Sequence, residues 1–480
     1  MKINHNITAV LANHRLKVTE GNLSNSVNKL SSGYKINSAK DNPAGFAIAH
    51  KMSTQIRGLE RASDNALDGV SAIETAEGAI NEIQSMVQRL RELAVQSAND
   101  TYTIGDREAI QIEAEKLQEE IERISQETEF NKKNLLDGSF DTRAYSDTDG
   151  VRASLVSDSV HAGTYQVEIT KLAEKASVET TPSAAAFGVP EASAVEGTIE
   201  INGLSITVST SESLEAVYEK MREQAEIVGI DVKRTGSTWM FEAGQYGSSE
   251  KVEITAIPSN IASALGLDNA VKTEGADAEV NLIKDDGSAQ PSSLFSNTAT
   301  YISKGEHVKV TDRSGFEMTI KVDNEKYQDI VNSNTASLVG KTTSIEVKDF
   351  GYMTIQIGAN EDQTMDIRIP EMSLENMGIE NLNYLTHESA SKAITALDNA
   401  LSFVSSVRSK LGAYQNRLDH TISSLGVADE SLTSAYSRIM DVDMAEEMTT
   451  YTQYNVLQQA GVSVLAQAND LPQTVLQLLQ

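Results

Sequence analysis

Apolar residues recur every seven positions over two long stretches near opposite ends of the chain. In the first, Met52, Leu59, Ala66, Ile73, Ile80, Val87 and Ala94 form an unbroken row, and Ala62, Gly69, Ala76, Ile83 and Leu90 follow three positions behind. Two such rows are the a/d seam of a coiled coil. The pattern predicts a long helix that begins at Pro43 with Asn42 as its cap, because proline is preorganised for the first helical position. A second helix is predicted over residues 107–126, apolar at Ile110, Ala114, Leu117, Ile121 and Ile124. The connection across 99–105 is short, which sets the two helices antiparallel. Toward the other end, Leu397, Val404, Leu411, Leu418, Leu425, Leu432 and Ile439 make the second row, shadowed by Ala400, Val407, Tyr414, Thr421, Ala428, Ala435 and Val442. At 1.5 Å per residue this row implies a rod of roughly 65 Å. Rows of such similar length are expected to pack on each other.

Shorter stripes lie at the two ends. Ile3, Ile7, Val10 or Leu11, His14 and Val18 are spaced for one helix face, as are Leu457, Ala460, Val464, Leu465 and Ala468, ahead of an expected break at Leu471-Pro472. Isolated short helices are marginal in water. These stripes are therefore expected to be buried by a partner subunit, which makes Ile3, Ile7, Leu11, Val18, Leu457, Ala460, Val464, Leu465 and Ala468 polymerisation candidates.

Between the helical tracts, residues 141–385 change texture. Short alternating or β-branched runs at 164–169, 197–208, 252–256, 308–310, 318–322 and 352–357 are separated by Gly, Asn, Ser and Asp, which predicts strands and turns. One amphipathic helix is predicted over 213–224. The fold class is thus a mainly α, coiled-coil helical core of packed N- and C-terminal helices with an inserted α+β region. The insertion is expected to hold two subdomains, near 160–280 and 281–385.

Composition narrows the function. The chain has 480 residues, only 5% aromatic with a single tryptophan, Trp239, and a formal charge of -29. Such acidity argues against a nucleic-acid partner, since phosphate binding needs Lys/Arg patches. With no cysteine, disulfides, thiolate catalysis and cysteine-bound metal are excluded. The start, Met1-Lys2-Ile3-Asn4-His5-Asn6, is too polar for a cleavable signal peptide, and no apolar run approaches the ~20 residues of a membrane span.

A search for chemistry finds no catalytic, cofactor or metal site. No two of the histidines (His5, His14, His50, His161, His307, His387, His420) stand four apart on a helix. His387-Glu388 would need a second His where Ser391 stands. Asp147-Thr148-Asp149-Gly150 begins like a calcium loop but has Val156 at its twelfth position. Phosphate-binding, dinucleotide and nucleophile-elbow motifs are missing. A structural role is expected rather than an enzymatic one.

Five stretches resemble bacterial flagellin, together with the flanking helices about half the chain. Residues 30–41 read Leu-Ser-Ser-Gly-Tyr-Lys-Ile-Asn-Ser-Ala-Lys-Asp, and residues 88–99 read Gln-Arg-Leu-Arg-Glu-Leu-Ala-Val-Gln-Ser-Ala-Asn. Thr-Glu-Phe-Asn stands at 128–131, Leu-Gly-Ala-Tyr-Gln-Asn-Arg-Leu at 411–418, and Leu-Gln-Gln-Ala-Gly-Val-Ser-Val-Leu-Ala-Gln-Ala-Asn at 457–469. The resemblance implies a subunit of the extracellular flagellar filament. Residues 1–42 and 450–480 would line its inner tube as a coiled coil, and 43–140 with 386–449 would form the outer tube. Residues 141–385 would be a surface-exposed insertion, in which 197–224 resembles a small module of flagellin and filament-cap insertions.

The partners implied are further copies of the chain, the type III export apparatus, an export chaperone near 451–480, and the filament cap and hook-junction proteins. A host Toll-like receptor would meet Arg89, Leu93 and Glu113. The seam residues Leu59, Ile73, Ile80, Val87, Leu411, Leu418, Leu425, Leu432 and Ile439 would serve packing. The alternatives are a hook–filament junction protein, which shares the architecture, and a coiled-coil scaffold, which explains only the heptads.

Overall fold

The computed structural model describes residues 6–156, 160–190, 196–257, 259–267, 270–285, 293–324, 342–348 and 351–477, with backbone alone at 154–156, 257, 270 and 471–477. Its helices are α1 (Ile7–Ser32), α2 (Pro43–Ser97), α3 (Ile104–Glu127), α4 (Leu214–Ile227), α5 (Ser259–Leu265), α6 (Leu374–Met377), α7 (His387–Met440) and α8 (Met444–Gln477). The chain divides into two compact units. One comprises Met1–Ser71, Thr354–Met365 and Gln415–Gln480, and the other Ala72–Met353 and Asp366–Tyr414. The divide falls inside α2 and α7, whereas the sequence reading drew its boundaries at 42/43 and 449/450.

In the first unit α1 packs on α8. Asn6 caps α1, its Oδ1 accepting from Ala9 N–H at 3.1 Å, and Gly33 ends the helix at φ 74°. The chain then pairs briefly with the α7–α8 turn. Lys35 N–H donates to the Met440 carbonyl, Val442 N–H donates to that of Gly33, and Ile36, Ala49 and Met440 form a small core beneath. As expected, α2 starts at Pro43, and Asn42 Oδ1 accepts from Gly45 N–H at 2.9 Å.

The expected break at Leu471-Pro472 does not occur, and α8 runs on to Gln477. A proline inside a helix orphans the carbonyl four residues earlier, here that of Ala468. Asn6 Nδ2 donates to that carbonyl at 2.8 Å, so the helix continues without leaving it unsatisfied.

In the second unit α2, α3 and the first part of α7 lie antiparallel to their neighbours. Arg91 reaches Asp398 at 2.6 Å while Arg408 reaches Gln84 at 2.7 Å, and Arg107 of α3 donates to the Ser97 carbonyl at 3.1 Å. Ile73, Ile80, Val87, Leu397, Val404 and Leu411 are fully buried. The second helix is longer than expected and begins with a capping box between Thr103 and Asp106.

Its buried face is Ile110, Ala114, Gln118, Ile121 and Ser125, turned by one position from the predicted one at Leu117 and Ile124. The cause is an extended segment whose main chain must be satisfied along α3. Gln111 accepts from Tyr384 N–H and donates to the Leu382 carbonyl. Gln118 donates to the Ile379 carbonyl, and Ser97 to that of Tyr384.

The insertion does contain two modules, but they are nested rather than consecutive. Strands Gly163–Lys171 and Val151–Val156 of the outer module pair with strands that come much later, Glu279–Ile283, Thr342–Lys348 and Glu317–Val322. Two four-stranded antiparallel sheets result, closing on one core that holds Tyr165, Phe295 and Phe316. The inner module interrupts this one after Ala173 and returns it at Ala278, with its own core of Ala176 through Leu267 around Trp239 and Phe241. Its sheets are Lys175–Thr180, Thr238–Tyr246 and Ile230–Thr235, and Ala270–Glu274, Lys251–Ile257, Glu196–Ile201 and Leu204–Ser209. Helix α4 is capped by Ser213. Near the end of the expected insertion, Ile379–Tyr384 runs along α3, bonded to Gln111 and Gln118.

Candidate assembly and recognition surfaces

Helices α1 and α8 bring small and polar residues together. The covered side of α1 runs through Ala9, Ala12, Leu16, Thr19, Leu23 and Ser26, and that of α8 through Tyr454, Gln458, Gly461, Leu465 and Ala468. A side chain at Gly461 would come within 3.2 Å of Leu16 Cδ1, so the glycine permits the close approach. At the other end of the pair, the buried Ser26 hydroxyl donates to Glu447, and Lys29 stands 3.7 Å from the same carboxylate. Leu16, Leu23 and Leu465 are half-buried between the helices, but the other large aliphatics of these stripes face away. Ile7 is 75% exposed, Leu11 60% and Val464 55%, with Val10, Val18, Leu457 and Val462 also in solvent.

Of the polymerisation candidates, Ile7, Leu11, Val18, Leu457, Ala460 and Val464 are thus presented outward. Ala468, only 7% exposed, is corrected to the seam between α1 and α8, and Leu465 is half-buried there. Ile3 lies outside the described residues. Met444, Met448 and Val456 are further exposed apolar residues on α8 that the sequence reading passed over. Met444 and Met448, four apart, were the legible signal.

The receptor candidates stand on α2 and α3 of the second unit. Arg89 and Glu113 are joined, with Nε and Nη2 of Arg89 donating to Glu113 Oε1 at 2.9 and 2.8 Å. Arg89 also reaches Glu92 at 3.2 Å. Donating to Glu113 and then to Glu92 raises the arginine pKa above its ordinary value. Leu93 is 1% exposed, which corrects its assignment to this surface. It sits one position from the a/d row at Leu90 and Ala94, and the broad apolar face of α2 takes it inside. The seam residues Leu418 and Leu425 are buried, while Leu59, Leu432 and Ile439 are half-buried.

Among the described residues no group of three metal-binding side chains converges, and no helix is long and apolar enough to cross a membrane. A concavity of about 650 Å³ is lined by Asn25, Asn28, Lys29, Ser38 and Asp41 around the turn after α1. Asp41 accepts there from the Asn37 and Ser38 N–H groups and the Ser38 hydroxyl. That is the arrangement of a loop bracing itself beside the backbone pairing of Lys35 with Met440 and of Val442 with Gly33.

Comparison with known proteins bears directly on these helices. The family model for the bacterial flagellin N-terminal helical region matches residues 3–141, and that for the C-terminal helical region matches residues 394–479. A flagellin of Clostridium tyrobutyricum is 35% identical over 98% of this chain and all of its own length. The B-type flagellin of Pseudomonas aeruginosa is 31% identical, with full coverage of both chains. A flagellar hook-associated protein-3 from Legionella pneumophila aligns over 81% of this chain and 98% of its own, at 15% identity and a TM-score of 0.30. The scaffold alternative gives way, because relatives named flagellin span the chain from end to end, insertion included. The chain belongs to the bacterial flagellin family and is a structural subunit of the flagellar filament.

Proposed function

We propose that polymerisation is driven by the outward stripes of α1 and α8, with Ile7, Leu11, Val18, Leu457, Ala460 and Val464 buried by neighbouring copies. The observation that carries this is the row of large aliphatics left in water on the outer faces of two helices that already pack on each other through Leu16, Leu23, Leu465 and smaller residues. Transfer of a Val, Leu or Ile side chain out of water is worth about 1.5–3 kcal/mol, so covering several of them stabilises a head-to-tail contact strongly. Such a contact does not close on itself and extends into a helical fibre. The long α2/α3/α7 bundle forms the outer tube, and the insertion projects into solvent. The protein is not an enzyme and needs no cofactor.

The route outward is the flagellum's own type III export apparatus. A chaperone covers the α8 stripe beforehand, and growth proceeds beneath the cap from the hook-junction proteins. The chain carries no cysteine, which suits passage in an unfolded state. The finished subunit is extracellular, in the filament. A junction protein would show the same architecture yet would not extend filament seeds by itself.

The test is seeded growth followed by light scattering and electron microscopy. Wild type extends seeds. Val464→Asp and Leu457→Asp keep the helical circular dichroism of the monomer and fail to extend them. Equal growth of both variants would refute the mechanism, and no growth of wild type on seeds would favour the junction protein.

A second surface rests on Arg89 and Glu113, both exposed and both matching the family's contacts with the host Toll-like receptor. The free monomer binds that receptor through this pair, with Leu93 packing underneath. Receptor binding unchanged by Arg89→Ala would rule this out.

A further inference from the structure

The inner module is tethered to the outer one by two passes of the chain, outgoing through Glu174 and returning through Ala276. These two residues exchange N–H···O bonds of 2.8 and 2.9 Å. A tether this narrow hinges unless something else crosses it.

Asp277 crosses it. One carboxylate oxygen accepts from Ser248 N–H at 2.9 Å and from Gly305 N–H at 2.7 Å, and the other accepts from the Ser248 hydroxyl. Ser248 lies in the turn between strands Thr238–Tyr246 and Lys251–Ile257 of the inner module. Gly305 lies in the turn between strands Thr300–Lys304 and His307–Thr311 of the outer one. A single side chain on the returning pass therefore fastens a turn of each module.

Glycines let the backbones approach at this junction, where Tyr246 of the inner module also packs against the outer module's core. A Cβ built on Gly247 would stand 2.8 Å from Gly305 Cα, and one on Gly305 would stand 2.6 Å from the Tyr246 carbonyl oxygen. The same inner-module turn is also held to the start of α7. Lys392 Nζ donates to the Ser249 carbonyl at 3.0 Å and lies 3.3 Å from Glu250. Lys251 lies 3.4 Å from Glu388.

We propose that Asp277 is a positioning residue that locks the two modules of the insertion into one rigid arm, so that every subunit carries its inner module in the same orientation. The same hydrogen bonds keep the carboxylate ionised. Burial opposes its charge, but the hydrogen bonds from Ser248 and Gly305 prevail and hold its pKa below the ordinary carboxylate value.

The protein contains its own probe. Trp239 is the chain's single tryptophan and is buried in the inner module's core, so its time-resolved fluorescence anisotropy reports how that module turns. In the wild-type monomer the decay follows the slow tumbling of the larger body. In Asp277→Ala a second, several-fold faster component enters while the Trp239 emission maximum stays in place, showing the module still folded but swinging. Asp277→Asn keeps an oxygen able to accept from both N–H groups and decays as wild type. If Asp277→Ala disturbs the emission itself, Ser248→Ala supplies the test. It removes one of the three donors and is expected to add the fast component at smaller amplitude.

A decay in Asp277→Ala as slow as wild type overturns the proposal. So does an unaltered decay in Ser248→Ala, where that variant is the one used, or an Asp277→Asn decay as fast as that of the alanine variant. The measurement is made on monomer, so its outcome leaves the assembly mechanism untouched.

Discussion

Two glycines of the first unit should respond to the same substitution with opposite signs. Gly69 lies in α2, and a Cβ built there would overlap Ile355 Cδ1 and stand 3.4 Å from Leu418 Cδ1 and 3.5 Å from Ile355 Cγ1. Ile355 is on the short hairpin of strands Met353–Gln356 and Thr364–Ile367, and both Ile355 and Leu418 are buried. Gly426 lies in α7 with nothing within 4 Å of the corresponding position.

Replacing a helical glycine by alanine gains about 1 kcal/mol from backbone entropy alone. That gain should be realised at Gly426. At Gly69 the new methyl must displace the end of Ile355 in filled space, and such overpacking costs about 1–3 kcal/mol. The net at Gly69 is a loss of up to about 2 kcal/mol, and the two variants should differ by roughly 1–3 kcal/mol. Urea unfolding of the monomer, followed by helical circular dichroism, reads the difference as midpoints shifted in opposite directions from wild type. If Gly69→Ala is stabilised as much as Gly426→Ala, the hairpin does not hold Ile355 against α2, and the packing argument fails.

Two other side chains give predictions in the second unit. Arg368 holds Asp141, where the insertion leaves the bundle, through Nε at 3.3 Å and Nη2 at 2.8 Å, with both side chains about 15% exposed or less. Removing Arg368 takes the counter-charge from a largely buried carboxylate that keeps its hydrogen bond from Thr142 N–H, so Arg368→Ala should cost up to about 3 kcal/mol in the same urea assay; a change within error would refute this. Burial first, with Glu375 nearby, raises the Glu371 carboxyl pKa above 4.5, against hydrogen bonds from Ser373 and Asn376. A raised acid pKa means the folded state binds the proton more tightly, so stability falls as pH rises through the folded value. Glu371→Gln should therefore melt higher than wild type at pH 7 and at the same temperature at pH 4. Equal melting at both values would sink the assignment.

The parts of the fold that could be read from the sequence are those where one physical rule acts alone. The rows through Ile73, Ile80 and Val87 and through Leu397, Val404 and Leu411 are long, and burial is the only demand made on them. Helix α3 was misread by one position because Gln118 and Ser125 are inside for their hydrogen bonds. Hydrophobicity gives no weight to a buried amide that serves a distant carbonyl.

The nesting of the modules was hidden for another reason. Strand Gly163–Lys171 looks the same whether its partners come next or more than a hundred residues later, and loop closure grows costly only slowly with length. The strand Thr238–Tyr246 alternates cleanly once seen, with Trp239, Phe241 and Ala243 inside, but Ala243 and Gly244 blurred it. Of the candidate surfaces, the stripes at Ile7, Leu11 and Val464 were visible as periodicity. The exclusion of Leu93 and Ala468 was not, because a broad helical face does not say where its edge lies.

The ends of the chain show why an inverted pattern points outward to a partner. A free-standing helix pair puts valine and leucine inside and alanine at the margin. Here α1 and α8 meet through Ala9, Ala12, Thr19, Gly461 and Ala468 together with Leu16, Leu23 and Leu465, while Ile7, Leu11, Leu457 and Val464 stay in water. The leucines of that seam are only half-buried, and the small residues between them add little area, so the seam leaves much of the pair's apolar surface uncovered. Polar fastenings set its register instead. Asn6 takes up the Ala468 carbonyl left by Pro472, and Glu447 receives Ser26 beside Lys29. Such groups specify alignment more than they add stability, because each exchanges water for a protein partner. The pair is thereby aligned by its inner face and stabilised mainly through its outer one. On the assembly mechanism proposed above, the pair would be most stable where other copies cover that outer face, and ordering of the ends would be coupled to growth of the filament.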